Sequence, residues 1–272
     1  MASRATLIRC APSAVVHVQK AGKLENRLAI LRQILEVADD ELRARYRERL
    51  TMGWVYHDSA LEGTVYSMPE LQAAIYEQVV SDAALIPVYD EIRQHKSAID
   101  IVRDLAEKRG TISLEVIKKI YVTLDPEGAD GKGPPKYRKD MPIHRLYFHE
   151  IAQPDKIQPR MKTLIDWINA PDTKRSTHVV RLASKAHHEM LQIYPFKKHS
   201  GKVARLLMNL ILLRNEYPEA IIHSTERQRY YDALKTSPDA VARVVTEALS
   251  ASIESAIHFF ETGGGTSGVR PA

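Results

Sequence analysis

The chain has 272 residues, of which 44% are hydrophobic and 27% are charged, the proportions of a soluble globular protein. Its formal charge of +5 does not indicate a nucleic-acid partner and only slightly favours acidic ligands. Cys10 is the only cysteine, which excludes a disulfide within the chain, and no apolar run reaches the length of a membrane span. We therefore expect a cytoplasmic protein without nucleic-acid or membrane partners.

The first part of the chain predicts a helical arm over residues 23–80, preceded by a flexible N-terminus at residues 1–22. Leucines recur at helical spacing from Lys23 to about Leu50, with acids and arginines on the other face, which is typical of an amphipathic helix. The heptad-like spacing would also suit a coiled-coil partner, and a homo-oligomer stays open. Because the run is short, packing within its own domain is favoured.

Local signals predict the next three helices. Ser67 and Glu70 have the spacing of a capping box, which indicates a helix running from there toward Val80. Apolar periodicity predicts a longer helix over residues 82–109 and a shorter one over residues 113–124. A loop rich in glycine, proline and aspartate follows.

The spacing of similar side chains changes from helical to every second residue at residues 137–152, which predicts a short β-hairpin. Later helices are predicted to begin at Pro159, at Thr225 and at Ser237, the last of them ending near Glu261.

These signals together predict a mainly α fold. We expect one helical core at residues 81–262, which carries the hairpin and the N-terminal arm. Residues 263–272 hold no core-forming side chains and predict a mobile tail.

The most informative stretch is a loop between a helix over residues 176–192 and an apolar segment over residues 203–214, which predicts a buried central helix. Pro195 stops the first helix, and Gly201 is expected to let the backbone turn before the second. Backbone N–H groups of the loop and of the new helix then point at one spot, which predicts a cradle for a phosphate or carboxylate. Four cations would add positive charge there: Lys197, Lys198, Lys202 and Arg205.

Residues 194–205 resemble the motif of the Fic (Fido-fold) family, His-Pro-Phe-x-Asp/Glu-Gly-Asn-Gly-Arg-x-x-Arg. The positions that match are Pro195, Phe196, Gly201 and Arg205, and Lys202 stands at the first arginine. Four positions depart from the motif: Tyr194 replaces the histidine, Lys198 the acid, His199 the first glycine and Ser200 the asparagine. The flanking sequence also resembles Fic proteins, so the resemblance implies the Fic helical core.

The resemblance extends to a segment that precedes the core. Glu62 and Gly63 match the end of the inhibitory helix that many Fic proteins carry, Ser/Thr-x-x-x-Glu-Gly/Asn, whose first position here is Asp58. In the family this glutamate pairs with the last motif arginine and blocks productive nucleotide binding. The resemblance thus implies a regulatory pair of Glu62 with Arg205, and the plainer interpretation is an ion pair that only joins two helices.

The hairpin corresponds to the flap with which Fic proteins hold a target segment by strand addition. The resemblance therefore implies a protein partner at residues 137–152, and the candidate contact residues are Ile143, His144 and Tyr147. Arg138 lies where the flap begins. The alternative is a plain surface hairpin.

In the family, the motif histidine takes a proton from a target hydroxyl, which attacks the α-phosphate of ATP, while the motif acid holds Mg²⁺. A tyrosine has an ordinary pKa of about 10 against about 6.5 for histidine, so Tyr194 is a poor base unless neighbouring lysines lower its pKa. Lys198 cannot bind Mg²⁺, although it could neutralise a phosphate itself. His199 could block the site or act as a displaced base.

The candidate catalytic residues are accordingly Tyr194 and His199. The candidate residues for ATP or another nucleotide are Phe196, Lys197, Lys198, Ser200, Gly201, Lys202 and Arg205. We expect no metal site, because the lysines would repel a cation and no carboxylate is spaced to help the neighbouring histidines.

Three functions remain open. The first, slightly favoured, is a pseudoenzyme that binds a nucleotide, another anion or a protein partner without transferring anything. The second is a divergent transferase that moves a nucleotide or another phosphate-containing group onto a protein hydroxyl by another base. The third is an ordinary Mg²⁺-dependent protein adenylyltransferase, which is least favoured because base and metal ligand are both replaced.

Overall fold

The computed structural model describes residues 12–78, 82–128, 136–142 and 151–264, with side chains from residue 23 onward. Within these ranges the regular secondary structure is helical. The α-helices are α1 (Pro12–Val37), α2 (Asp40–Leu61), α3 (Met68–Ile75), α4 (Ile86–Glu107), α5 (Leu114–Leu124), α6 (Pro154–Asn169), α7 (Pro171–Ser176), α8 (Val179–Ile193), α9 (Ser200–Arg214), α10 (Arg227–Thr236) and α11 (Pro238–Glu261). The predicted mainly α fold is confirmed. None of these helices is both long and apolar enough to span a bilayer.

The long N-terminal helix differs from the prediction. It begins at Pro12, inside the segment that was expected to be flexible, and it ends at Val37 rather than near Leu50. A second helix follows because the Asp39 carboxylate accepts a hydrogen bond from the N–H of Leu42 at 2.7 Å, which satisfies a free donor of the new first turn. This local cap divides what the leucine spacing suggested was one helix.

The chain forms two compact units, whose boundaries fall inside helices. One unit comprises residues 1–46 and 253–272, and in its described part Arg27 and Glu254 form an ion pair at 3.3 Å. The other unit comprises residues 47–252. The boundaries expected from the sequence, at residues 22, 80 and 262, stay a prediction.

The core of the larger unit is built around α9. Every residue from Ser200 to Leu212 is buried, which confirms the predicted central helix. Helices α4, α5 and α8 pack against it. A helix that is apolar nearly all round has no face suited to water, so the neighbouring helices must cover it on several sides.

The predicted helix starts are confirmed at two positions and wrong at two others. Ser67 and Glu70 form the predicted capping box, and Ser237 Oγ accepts from the N–H of Ala240 at 3.2 Å to cap α11. Thr225 is not a cap, since it lies in a 3₁₀ turn (Ser224–Glu226) before α10. Pro159 lies inside α6, which begins at Pro154, a position where the missing N–H has no helical partner to lose.

The predicted hairpin lies largely outside the described residues, and so do its candidate contacts Ile143, His144 and Tyr147. Residues 136–142 and 151–153, on either side of the undescribed part, are irregular, so the described ends of the predicted hairpin form no strand. Most of the predicted tail, residues 265–272, also lies outside the described ranges.

Candidate functional site

The loop between α8 and α9 is shaped by two residues in the left-handed region. Tyr194, directly after α8, has a φ of 47°, and His199, directly before α9, has a φ of 58°. Gly201 lies within the first turn of α9, so the expectation that it makes the turn is wrong. The helix begins three residues earlier than predicted because His199 takes the strained conformation instead.

Gly201 has a different role, which is to leave room for Glu62. A Cβ at this position would overlap the Glu62 carboxylate and would lie 3.2 Å from Nη1 of Arg205. The carboxylate therefore lies against the N-terminal turn of α9, where free backbone N–H groups and the helix dipole favour negative charge.

Phe196 and Ser200 hold the loop together from inside. The Phe196 ring is fully buried and stacks on Tyr121, with ring centroids 3.9 Å apart and planes within 3°. The Ser200 hydroxyl accepts from the N–H of Phe196 and donates to its carbonyl, both at 2.9 Å. The side chains of these two predicted nucleotide contacts are thus committed to the fold, and so are the backbone N–H and carbonyl of Phe196.

Arg138 fastens the loop from the side of the predicted flap. Its Nε donates to the carbonyl of Tyr194 at 2.7 Å, and its Nη2 donates to the carbonyls of Ala152 and Ile193. Its backbone N–H donates to the carbonyl of Pro195 at 2.9 Å. One buried guanidinium therefore joins the residues on both sides of the hairpin region to the turn at Tyr194.

The four predicted cations do not converge. Lys197 and Lys198 are exposed. The Lys202 side chain is only 2% exposed, and its Nζ lies 2.9 Å from Oε1 of Glu91 on α4. Arg205 is also buried and also paired, so only the two exposed lysines can meet an incoming ligand without first losing a partner.

Arg205 forms the ion pair with Glu62 that the resemblance implied, with Nη2 of the arginine 2.6 Å from Oε1 of the glutamate. A second carboxylate, from Asp58, contacts Nε of the same guanidinium. Burial alone would raise the pKa of Asp58, but the charge of Arg205 and the contact with His95 outweigh it and hold that pKa below its usual value.

Asp58 and His95 are the site residues that the sequence did not reveal. In the sequence, Asp58 is only a departure from the inhibitory pattern, although it lies in the last turn of α2, four residues before Glu62, which directly follows that helix. His95 comes from α4, and its Nε2 lies 3.0 Å from Oδ2 of Asp58. No motif marks it, because the contact depends on how two helices pack.

The two candidate catalytic side chains are half-buried and differ in charge behaviour. Burial and the Glu62 carboxylate raise the pKa of Tyr194, so it carries its proton at neutral pH. Burial and Lys202 lower the pKa of His199, so its imidazole is neutral there. Of the two, only His199 could accept a proton near pH 7.

The donor set does not suit Mg²⁺. The motif position that should supply a carboxylate holds Lys198, while Glu62 and Glu91 are engaged with Arg205 and Lys202. In the described ranges no three side chains of the histidine, cysteine, aspartate or glutamate type are grouped to hold a metal ion.

The helical core, the turn at residues 194–199 and the buried partner of the last motif arginine define the Fic fold. The Fic/DOC family matches residues 111–212, and these residues form a Fic/DOC domain. Fic-1 of C. elegans has the same fold, with a TM-score of 0.76 at 22% identity over 92% of this chain and 76% of that one. A Fic domain containing signaling protein from Bacteroides thetaiotaomicron has a TM-score of 0.75 at 20% identity over 91% of this chain and all of that one.

Curated relatives of this chain are named protein adenylyltransferase Fic. A protein adenylyltransferase Fic from Culex quinquefasciatus is 27% identical over 70% of this chain and 37% of its own length. Another from Drosophila willistoni is 26% identical over 83% of this chain and 44% of its own length. The chain therefore spans less than half the length of these relatives.

Proposed function

We propose that this chain is a Fic domain that binds a nucleotide or another phosphate-bearing anion at residues 194–205 and has lost the family's AMP transfer. One observation carries the proposal. Where the motif needs a base, the chain has Tyr194, whose pKa is raised, and where the motif needs a metal ligand, the chain has the exposed Lys198. The loop that carries both residues is nevertheless held in place by hydrogen bonds from Arg138 and from Ser200.

The anion would lie where the Glu62 carboxylate now lies. Glu62 contacts the first turn of α9 and Arg205, which are the groups a phosphate would use. A phosphate must therefore displace Glu62, whose side chain is 27% exposed and can move toward water. Lys197 and Lys198 are exposed on the same loop, and their charge would support an anion without Mg²⁺.

The nucleotide is the favoured ligand because the relatives are named adenylyltransferases. We further propose that a protein partner docks at residues 137–152, as the resemblance to the flap implies. The support is that Arg138, near the start of this segment, donates both to the carbonyl of Tyr194 in the loop and to the carbonyl of Ala152 at the end of the segment.

A second candidate, a divergent transferase, is favoured by His199. Its imidazole is neutral at pH 7, half-buried and next to α9, so it could take a proton from a hydroxyl nucleophile. In that case the group that leaves is pyrophosphate if AMP is transferred, and the proton of the hydroxyl passes to His199.

Calorimetric titration with ATP, with and without Mg²⁺, tests the proposal. We expect binding that does not require Mg²⁺ and that becomes about tenfold tighter in Glu62→Gln, since a competing carboxylate is removed. Glu216→Gln is the matched control, because it breaks an exposed pair with Arg109 elsewhere. Absence of binding in both the wild type and Glu62→Gln would refute the proposal. Mg²⁺-dependent transfer of labelled AMP by the wild type would replace it with ordinary adenylylation.

A further inference from the structure

Arg205 is held from more than one side. Its Nε contacts Oδ1 of Asp58, and its Nη2 lies 3.3 Å from the backbone carbonyl of Asp58 and 2.6 Å from Oε1 of Glu62. Its Nη1 lies 3.4 Å from the hydroxyl of Tyr230. The two carboxylates therefore use different edges of the guanidinium.

These two carboxylates also differ in environment. The Asp58 side chain is 3% exposed, and its second oxygen faces the buried His95. The Glu62 side chain is 27% exposed. Moving Glu62 into water restores its hydration, whereas Asp58 has no such path and would leave a buried charge behind.

We infer that Asp58, supported by His95, is a permanent anchor that positions Arg205, and that Glu62 is an exchangeable partner of this arginine. The inference deepens the proposed function and rests on it where a phosphate ligand is concerned. An incoming phosphate would then meet Arg205 through Nη2, while Nε stays on Asp58. Removal of Glu62 alone would not release the guanidinium.

The charge balance supports this division of roles. Arg205 with Asp58 is a neutral pair, so Glu62 can leave without stranding a buried cation. The same neutrality weakens the pull of Arg205 on a phosphate, because an adjacent carboxylate opposes it. Asp58 therefore makes the exchange of Glu62 easier and lowers the affinity of Arg205 for anions. An uncharged residue at position 58 would have neither effect.

The first test needs no ligand and observes the Nε–H of Arg205 by ¹⁵N NMR, assigned with Arg205→Lys. We expect slow exchange with water in the wild type and in Glu62→Gln, and fast exchange or a shifted resonance in Asp58→Ser. The internal reference is Arg103, whose Nε donates to the buried Glu219 at 2.9 Å and should not change. Fast exchange of the Arg205 Nε–H in Glu62→Gln would overturn the inference.

The second test measures ATP affinity by calorimetry in Glu62→Gln and in the double variant Asp58→Ser/Glu62→Gln. We expect the double variant to bind about tenfold more tightly, as one freed charge-assisted donor implies. Asp58→Asn/Glu62→Gln, which keeps the shape of the side chain, serves if the serine variant does not fold. Equal affinity in single and double variants would overturn the anchor's effect on the ligand. If no variant binds ATP, the proposed function fails, and the NMR result still decides whether Asp58 anchors Arg205.

Discussion

The carboxylate of Glu62 occupies the space that a side chain at Gly201 would need. Any Cβ at residue 201 overlaps this carboxylate, although Glu62 directly follows α2 and residue 201 lies in α9. Glycine is thus required at residue 201 because the Glu62 carboxylate lies against this turn of α9. The backbone conformation of residue 201 would itself allow other residues.

Gly201→Ala should therefore act as an indirect release of Glu62. The overlapping atoms are at the end of a flexible side chain, so Glu62 should yield and its pair with Arg205 should weaken. The new Cβ would also occupy the position proposed for the phosphate, so we expect ATP to bind about tenfold more weakly, measured by calorimetry. Gly53→Ala is the control, because a Cβ there meets nothing within 4 Å, and it should change affinity by no measurable amount. Unchanged affinity in Gly201→Ala would show that the phosphate does not lie against this turn of α9.

Arg138→Lys should loosen the turn at Tyr194. A lysine keeps the charge but cannot donate to the carbonyls of Tyr194, Ile193 and Ala152 at once, since it lacks the planar fork. We expect a loss of about 2–3 kcal/mol in the free energy of unfolding, measured with urea, because buried carbonyls lose their donors. Arg181→Lys, in an exposed pair with Asp239, should cost less than about 0.5 kcal/mol. Equal losses in the two variants would contradict the role given to Arg138.

The stability of the protein should fall as the pH drops from about 6.5 toward 4. Burial, with His223 stacked 4.2 Å away, lowers the pKa of His57 from 6.5 to about 4. Below pH 6.5 the unfolded chain therefore binds a proton that the folded chain refuses, and His57 alone contributes up to about 3 kcal/mol to this loss. His187, whose pKa burial lowers to about 3, acts in the same direction.

Urea unfolding at several pH values measures this slope. His57→Gln should flatten it between pH 6.5 and 4 and leave the part due to His187, His95 and His199, whose pKa values burial also lowers. If His57→Gln does not alter the slope, the pKa of His57 in the folded protein is not lowered.

Tyr194→His alone should remain inactive in AMP transfer with Mg²⁺ and ATP. It supplies a base of suitable pKa, but Lys198 still has the wrong charge for Mg²⁺ and His199 still stands where the motif has glycine. Changing Tyr194, Lys198, His199 and Ser200 together to the motif residues should gain activity, more so with Glu62→Gly.

Transfer of labelled AMP onto the protein itself is the measurement. Labelling by Tyr194→His alone would show that Lys198 does not prevent metal-assisted transfer. Labelling by the unchanged protein would point to another base, and His199 is the first residue to test.

The sequence by itself determined what depends on neighbours along the chain or on a recognised motif. The caps at Ser67 and Ser237 follow from contacts three residues apart, and the buried helix α9 follows from its apolar composition. The pair of Glu62 with Arg205 spans 143 positions, and it was predictable only because the segment resembles a known pattern.

Only the tertiary structure decided which charges are available to a ligand. Lys202 looked like part of an anion cradle, but α4 brings Glu91 to it, and the same helix brings His95 to Asp58. Sequence spacing cannot reveal such contacts, because they depend on which faces of distant helices meet. Burial then makes the pairing decisive, since a charge withdrawn from water is held by whatever partner the packing supplies.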